Sequence, residues 1–345
     1  METCRTKRPS RVYIDLTNAC TLACPHCCTG SGSPADDELS LAEIEDLVDQ
    51  VHAMGVGQLV FSGGEPMLRP ELPQILAHSR QRQLSVTILT NGLAIDATWA
   101  SFFATHDIRV KVSLDGVCGS THDFIRGAGA FERTIESLAH LRERGVERRC
   151  VHFTAHRRNV AELTELPRFL SAVGVEQLVV GLIKPAGRAR ENAELLIPPV
   201  MAPYVRQKID TIAHDPRITL GHFTDRGWEG FGCPATCNKL GVTASGRMTT
   251  CVFLGDDLLG ESVREHSLAE LWAQHLARDA CRANPECARC PNVARSGGGC
   301  RANALHFHGD RDAVDPYCCA YYRKQLFLED NSSVLEAARA GRGSW

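Results

Sequence analysis

Three cysteines near the start of the chain have a spacing suited to metal chemistry. Cys20, Cys24 and Cys27 form a C-x3-C-x2-C pattern directly after an alternating apolar run, which predicts a β-strand. Thiolates are ligands of iron–sulfur clusters. Three of them would fill three corners of a four-iron cluster and leave the fourth iron free for an exchangeable ligand. A tetrahedral zinc site would need Cys28 or His26 as a fourth ligand, so the spacing favours a cluster.

A second chemically unusual stretch ends the next predicted strand. Residues 61–66 read Phe-Ser-Gly-Gly-Glu-Pro. Gly63 and Gly64 let the backbone approach a ligand closely, because glycine has no side chain. Glu65, followed by Pro66, could accept hydrogen bonds from an ammonium group. These are the features of a ligand-binding strand end.

Together the two stretches resemble the radical S-adenosylmethionine (SAM) superfamily. The resemblance implies that Cys20, Cys24 and Cys27 hold a [4Fe–4S] cluster, whose unique iron is chelated by the amino and carboxylate groups of SAM. It also implies that the segment Gly63–Pro66 binds the SAM amino group. His26 occupies the family's usual aromatic position. An electron from the cluster would cleave SAM to methionine and a 5′-deoxyadenosyl radical.

The chain as a whole has the pattern of an α/β fold. Strands alternate with amphipathic helical segments up to about residue 183, which predicts βαβ units and a parallel sheet. We count six such strands, fewer than the eight of a closed TIM barrel. The resemblance implies the TIM-like partial (β/α)6 barrel of radical SAM enzymes. Ligands are expected at the carboxyl ends of its strands, where both motifs lie.

Later strand ends carry further candidate SAM-binding residues. Asn91 follows the third strand, and Ser113 and Asp115 end the fourth; both ends resemble the family's ribose- and methionine-contacting edges. Beside glycine, Asn91 and Asp115 could also serve turn formation. Arg126, in a His-Asp-x-x-Arg-Gly run, could bind a carboxylate through a bidentate fork or tie down its loop. Residues 181–188 resemble the turn near adenine.

Nine cysteines between residues 233 and 319 form a second field. It resembles the SPASM extension of radical SAM enzymes, which carries two auxiliary iron–sulfur clusters. The implied ligands are Cys233, Cys237, Cys251 and Cys300 for the first cluster, and Cys287, Cys290 and Cys318 for the second. Where the pattern wants another cysteine, the chain has Ser296. The second cluster could have a serine ligand, use Cys319, keep an open iron or be absent. A zinc ribbon is the alternative, since CxxC pairs beside a hairpin are also zinc signatures.

The patterns divide the chain into five expected parts. They are an amino-terminal extension (1–10), the radical SAM barrel (11–187), a bridging segment (188–230), the SPASM auxiliary-cluster domain (231–320) and a carboxyl-terminal helix and tail (321–345).

Composition excludes several classes of protein. The chain has 345 residues, a net charge of −3 and 43% hydrophobic residues, so it can bury a core but offers no basic field for nucleic acid. No apolar run approaches the length of a membrane helix. Sixteen cysteines without a signal peptide indicate metal ligands rather than disulfides. We expect a cytoplasmic monomer or weak dimer that takes electrons from a flavodoxin- or ferredoxin-type donor.

The resemblance leaves the substrate and the net reaction open. The sequence favours a small biosynthetic intermediate, such as a sugar, aminocyclitol or nucleoside, because only about ten residues precede the first strand and no peptide-recognition domain is expected there. Oxidation, decarboxylation, or epimerisation with Cys118 or Cys150 as hydrogen donor would be possible outcomes. The alternative is a maturase that modifies a ribosomally made precursor peptide. A non-catalytic iron–sulfur carrier or zinc scaffold is the alternative of another class.

Overall fold

The computed structural model of the chain describes residues 8–220, 238–254, 260–278, 285–293 and 298–322. Within these ranges a sheet of nine strands has the order β7-β6-β5-β4-β3-β2-β1-β8-β9. The strands are β1 (Arg11–Thr17), β2 (Gln58–Gly63), β3 (Ser85–Thr90), β4 (Arg109–Ser113), β5 (Arg149–Ala155), β6 (Gln177–Leu182), β7 (Thr219–Leu220), β8 (Lys239–Val242) and β9 (Met248–Thr249). Strands β1 to β6 are parallel neighbours in chain order, which confirms the partial barrel.

Helices connect these strands and continue beyond them. In the described ranges they are α1 (Leu41–Ala53), α2 (Leu72–Gln81), α3 (Ala97–Thr105), α4 (Gly119–Arg126), α5 (Ala130–Glu143), α6 (Leu166–Ala172), α7 (Ala202–Ala213), α8 (Leu268–Arg278), α9 (Pro285–Ala288), α10 (Arg301–His308) and α11 (Pro316–Tyr322). Ser40 and Glu43 form a capping box at the start of α1, which satisfies backbone N–H groups there. None of these helices combines the length and apolarity needed to cross a lipid bilayer.

The core lies between the outer face of the sheet and the helices. In β1 the side chains of Val12, Ile14 and Leu16 are fully buried in that layer, whereas Tyr13 and Asp15 between them are only half-buried. Successive residues of a strand point to opposite faces, so Tyr13 and Asp15 face the barrel interior. Each buried aliphatic side chain contributes about 1.5–3 kcal/mol, which fixes the strand's orientation and leaves the polar face inside.

The sheet is wider than the six strands that the sequence predicts. Strands β8 and β9 form an antiparallel hairpin, and β8 also pairs in parallel with β1. On the opposite edge β7 pairs with β6, and α7 buries Val205 and Ile209 in the barrel core. Added strands satisfy backbone groups that a free edge would expose. The boundary expected at residue 188 is therefore not marked by a break in the sheet.

Candidate active site

The cysteine-bearing loop at residues 18–33 is fastened to the glycine-rich end of β2. The N–H of Gly64 donates to the Thr17 carbonyl at 2.8 Å, and the N–H of Glu65 donates to the Ala19 carbonyl at 2.7 Å. A Cβ on Gly64 would lie 2.1 Å from the oxygen of Ala19. Gly63 has a φ of +118°, which a side chain would strain. Both glycines are therefore required for the loop to approach the strand end.

Glu65 organises the ends of β2 and β3. Its carboxylate is buried, and Oε1 accepts from the Thr90 hydroxyl at 2.7 Å and from the Met67 N–H at 3.1 Å. Oε2 accepts one bond, from the Asn91 N–H at 2.8 Å. Burial raises the pKa of Glu65 against the opposing effect of these donors. The carboxylate thus aligns two strand ends and has a lone pair left on Oε2 for a further donor.

Asn91 presents an unsatisfied donor beside Glu65. Its side-chain oxygen accepts from the Leu93 N–H at 2.9 Å, which fixes the amide. Its Nδ2 is buried and has no hydrogen-bond partner among the described residues. A buried polar group without a partner carries a cost of about 1–3 kcal/mol. Such an atom at a strand end fits a site completed by a polar ligand.

Asp115 forms the most connected ionic group of the site. Both Nε and Nη2 of Arg126 donate to its Oδ2, at 2.8 and 2.7 Å, and His26 Nε2 lies 3.1 Å from the same oxygen. Oδ1 accepts from the Thr154 N–H at 2.8 Å. Burial alone would raise the pKa of Asp115, but the charge of Arg126 and the bond from His26 hold it well below its usual value.

This network gives Arg126 a definite partner. Two guanidinium nitrogens of Arg126 donate to one oxygen of Asp115, so Arg126 ties down its loop, and its binding of a ligand carboxylate stays a prediction. Ser113, the last residue of β4, lies opposite His152 of β5 in the parallel register. Through His26, which belongs to the cysteine loop, Asp115 also ties that loop to β4. The role of Ser113, Asp115 and Arg126 in contacting SAM remains a prediction.

Arg188 clamps the cysteine loop from the other side. Its Nε donates to the Cys24 carbonyl at 2.9 Å and its Nη1 to the Ser31 carbonyl at 2.7 Å. Its backbone N–H donates to the Cys27 carbonyl at 3.0 Å. The preceding Gly187 is left-handed, and a Cβ there would lie 2.5 Å from the Cys27 oxygen. The sequence assigned this turn to the adenine end of SAM and missed its contact with the loop.

The thiols of the loop fit the predicted cluster. Burial, with smaller contributions from the charges of Cys27 and Cys20, raises the pKa of Cys24 to about 11, so the three thiols share one neighbourhood. Around Cys27, burial is outweighed by hydrogen bonds, among them one with Thr29 at 3.3 Å, and its pKa is lowered. Among the described residues, no group of three or more His, Cys, Asp and Glu side chains could hold a single metal ion. A four-iron cluster is larger than one ion and takes thiolates at its corners.

Asp315 organises the described part of the second cysteine region. Its Oδ2 accepts from the Cys300 N–H at 2.8 Å, and its Oδ1 from the Tyr317 N–H at 3.0 Å and from Asn303 Nδ2 at 3.1 Å. A Cβ on Gly299 would lie 2.5 Å from the Cβ of Asp315. The buried carboxylate thus draws the turn before α10 onto the start of α11.

Five of the predicted auxiliary ligands lie in the described ranges: Cys251, Cys287, Cys290, Cys300 and Cys318. Cys233, Cys237 and the position of Ser296 lie outside them. Burial, followed by the charges of Cys319 and Cys290, raises the pKa of Cys287 to about 11. A Cβ on Gly299 would lie 2.9 Å from the Cβ of Cys318. Both Cys318 and Cys319 are therefore near the other thiols, and the choice between them stays open.

The two candidate hydrogen donors lie in different surroundings. Cys118 is exposed at the start of α4, where hydroxyls of Ser120 and Thr121 lie 3.2 and 3.5 Å from its sulfur and lower the pKa of its thiol. Cys150 is buried within β5. Neither has a hydrogen bond to the cysteine loop among the described residues, and the donor role remains a prediction.

Comparison with known proteins identifies the chain. Residues 14–169 match the model of the Radical SAM superfamily. Mycofactocin maturase MftC from Mycobacterium ulcerans (strain Agy99) is 26% identical over 348 residues, which cover 96% of this chain and 93% of the relative. PqqA peptide cyclase from Granulibacter bethesdensis (strain ATCC BAA-1260 / CGDNIH1) is 27% identical over 353 residues, covering 97% and 91%. AdoMet-dependent heme synthase from Methanosarcina barkeri (strain Fusaro / DSM 804) is 28% identical over 344 residues, covering 91% and 97%.

Solved structures share the fold at low sequence identity. SuiB from Streptococcus suis, bound to precursor peptide SuiA, has a TM-score of 0.75 at 16% identity and covers 91% of this chain and 76% of that one. Native anSMEcpe with bound AdoMet has a TM-score of 0.73 at 17% identity, covering 96% and 100%. The chain therefore contains a Radical SAM domain at residues 14–169, which holds the cysteine loop and the partial barrel, and it is an enzyme that uses SAM and a [4Fe–4S] cluster.

Proposed function

We propose that this enzyme matures a ribosomally made precursor peptide by oxidising or crosslinking a side chain. The observation that carries the proposal is that relatives named as a maturase and a peptide cyclase align with more than nine-tenths of the chain. A precursor peptide therefore replaces the sugar, aminocyclitol or nucleoside expected from the sequence. Because a separate protein can supply peptide recognition, such a substrate does not require a recognition domain before β1.

The residues of the site have distinct roles in this proposal. The cluster and SAM, when bound, supply a 5′-deoxyadenosyl radical that takes a hydrogen atom from an unactivated C–H bond. Cys20, Cys24 and Cys27 would hold the cluster. Glu65 Oε2 and Asn91 Nδ2, the acceptor with spare capacity and the donor without a partner, would bind polar groups of SAM.

The second cysteine region supplies the redox capacity that such a modification needs. Removing a hydrogen atom leaves a substrate radical, and a net two-electron oxidation requires that a second electron leave it. The predicted ligands at Cys251, Cys287, Cys290, Cys300 and Cys318 would hold auxiliary clusters, whose chemistry is electron transfer. A flavodoxin- or ferredoxin-type protein would supply the electron that starts each turnover.

The test is turnover of a peptide encoded beside the gene. Anaerobically reconstituted enzyme would be mixed with SAM, dithionite and the product of a neighbouring short open reading frame. We expect release of 5′-deoxyadenosine and a peptide lighter by two hydrogen masses, with fragmentation locating the modified residue. The control is the Cys24→Ala variant, which should give neither product. SAM cleavage without any change in such peptides would contradict the proposal.

A second candidate function has one specific observation in its favour. The heme synthase from Methanosarcina barkeri, whose name indicates a tetrapyrrole product, aligns with 91% of this chain. The same assay with a small-molecule pool distinguishes the two functions. Suppose that an extract freed of peptides raises the release of 5′-deoxyadenosine, and that protease treatment of the extract does not lower it. The substrate is then a small molecule.

A further inference from the structure

A small cavity lies between the turn after β6 and helix α10. Its volume is about 290 Å³, and it is lined by Pro185, Arg190, Ala302, Leu305 and His306. Pro185 and Ala302 are buried and give the cavity an apolar wall, whereas Arg190 and His306 are exposed to solvent. Apolar walls with a few convergent polar groups are typical of binding sites for small organic groups.

The polar part of this cavity is cationic. Nε of Arg190 donates to the Pro185 carbonyl at 3.2 Å, and among the described residues its terminal nitrogens make no hydrogen bond or ion pair. Burial lowers the pKa of His306, and the positive charge of Arg190 contributes to the same effect, so the two side chains are close. A guanidinium with free terminal nitrogens matches a carboxylate in geometry and charge. A bound anion would also offset the repulsion between Arg190 and a protonated His306.

The cavity lies between the two cysteine regions. Arg190 belongs to the same turn as Arg188, which holds the carbonyl of Cys24. Ala302, on the opposite wall, is two residues after Cys300, whose N–H is held by Asp315. A group anchored here would therefore be flanked by the element that supports the radical-forming loop and by the element that carries an auxiliary-cluster ligand.

We propose that this cavity binds a carboxylate of the peptide substrate, with the short aliphatic stem of the acid against Pro185 and Ala302 and its oxygens on Arg190 and His306. That the carboxylate comes from a peptide rests on the proposed function. An internal acidic side chain and a chain-terminal carboxylate share this chemistry. Either would fix the register of the peptide relative to the loop at Cys24.

The binding test uses anaerobic, oxidised holoenzyme labelled with ¹⁵N-histidine and three blocked tripeptides. They are acetyl-Gly-Glu-Gly-amide, acetyl-Gly-Gln-Gly-amide and acetyl-Gly-Gln-Gly with a free carboxyl terminus. The ring signals of His306, assigned with the His306→Gln variant, should shift with a carboxylate probe and not with the neutral one. The probe that shifts them more strongly identifies the source of the carboxylate. Equal shifts with the neutral tripeptide would overturn the proposal.

Variants make the test specific to the guanidinium. Arg190→Gln should lower the affinity for the carboxylate probe roughly tenfold or more, because a charge-assisted hydrogen bond is lost. Arg190→Lys should retain part of that affinity. Arg82→Gln, an exposed arginine paired with Asp49 on the far side of the barrel, is the matched control and should bind as wild type. Unchanged affinity in Arg190→Gln would overturn the proposal.

The outcome can be separated from that of the proposed function. If the enzyme modifies a peptide equally well after every acidic group has been converted to an amide, the cavity proposal is wrong and peptide maturation stands. If the tripeptides bind as expected but no peptide is modified, the cavity is a carboxylate site and the proposed function is wrong.

Discussion

The two cysteine regions are each built around a buried aspartate, but the two carboxylates are compensated differently. Asp115 in the first region is gripped by both nitrogens of an arginine fork and by His26. Asp315 in the second region accepts from backbone N–H groups and from an amide. The pKa of Asp115 is held well below its usual value, whereas burial raises the pKa of Asp315 despite the nearby charge of Lys184.

The difference shows what each region needs from its carboxylate. A matched cation offsets the desolvation of a buried carboxylate directly, and neutral hydrogen-bond donors do so to a degree that depends on their number. In the first region Arg126 forms an ion pair with Asp115, which also holds the cysteine loop through His26. In the second region neutral donors shape a turn around Asp315, which has no ion pair among the described residues. The first site is therefore expected to be the more rigid of the two.

The largest expected effect separates the two regions completely. Cys24→Ala should abolish 5′-deoxyadenosine formation, because the cluster loses a ligand, while iron bound by the carboxyl-terminal cysteines remains. Iron analysis and the deoxyadenosine assay measure the two outcomes. Cys28→Ser, at the cysteine that directly follows Cys27 and lies outside the C-x3-C-x2-C pattern, is the matched control and should retain both. Continued SAM cleavage by Cys24→Ala would refute the ligand assignment.

The next effect compares the two aspartates directly. Asp115→Ala leaves Arg126 buried without its partner and should lower the free energy of unfolding by about 3–5 kcal/mol. Asp315→Ala removes an acceptor from neutral donors and should cost about 1–3 kcal/mol. Denaturant unfolding of both apo variants measures the difference, and Asp215→Ala, which breaks an exposed pair with Arg217, gives the surface baseline. Equal losses for the two buried sites would show that the two carboxylates are compensated alike.

A smaller effect tests the support behind the loop. Arg188→Gln removes donors to the Cys24 and Ser31 carbonyls and should speed iron release to a chelator roughly tenfold, in line with the loss of one or two charge-assisted bonds. Arg82→Gln is again the control. The release attributed to the carboxyl-terminal cysteines should not change. Identical release kinetics in both variants would show that the clamp does not stabilise the cluster loop.

The remaining effect depends on pH and concerns Asp15, a carboxylate of the first region that has no ion pair among the described residues. Burial raises the pKa of Asp15 from 3.8 to about 7. Between these values the native state binds more protons than the unfolded state, so the free energy of unfolding should fall as pH rises, until the effect is complete above pH 7. Asp15→Asn should therefore stabilise the apo protein at pH 8 by on the order of 2 kcal/mol and hardly at pH 4. A pH-independent effect would contradict the assignment.

What the sequence could predict follows from where each signal is encoded. The cysteine spacing and the Gly-Gly-Glu-Pro strand end are recognised from residue type alone. The strands and helices of the barrel are recognised from the periodicity of apolar residues, so both can be predicted from the sequence. The chemistry of Arg126 predicted a carboxylate partner or a tied-down loop, but identifying that partner required the fold. Arg188 was missed because its acceptors are backbone carbonyls, which every residue has. The pairing of β8 with β1 joins segments more than 220 residues apart, and four-residue strands have little periodicity.

That last pairing has a consequence for how the molecule is made. The strand that leads into the cysteine loop is synthesised before the other strands of the sheet, yet one of its two neighbours, β8, is the eighth of the nine described strands in chain order. Until β8 has been synthesised, the backbone N–H and C=O groups on that edge of β1 have no strand to pair with. Contacts between segments so far apart in the sequence also form slowly. The nascent chain must be shielded from association through this strand, and iron–sulfur assembly before the closing segment has emerged would take place on an unfinished scaffold.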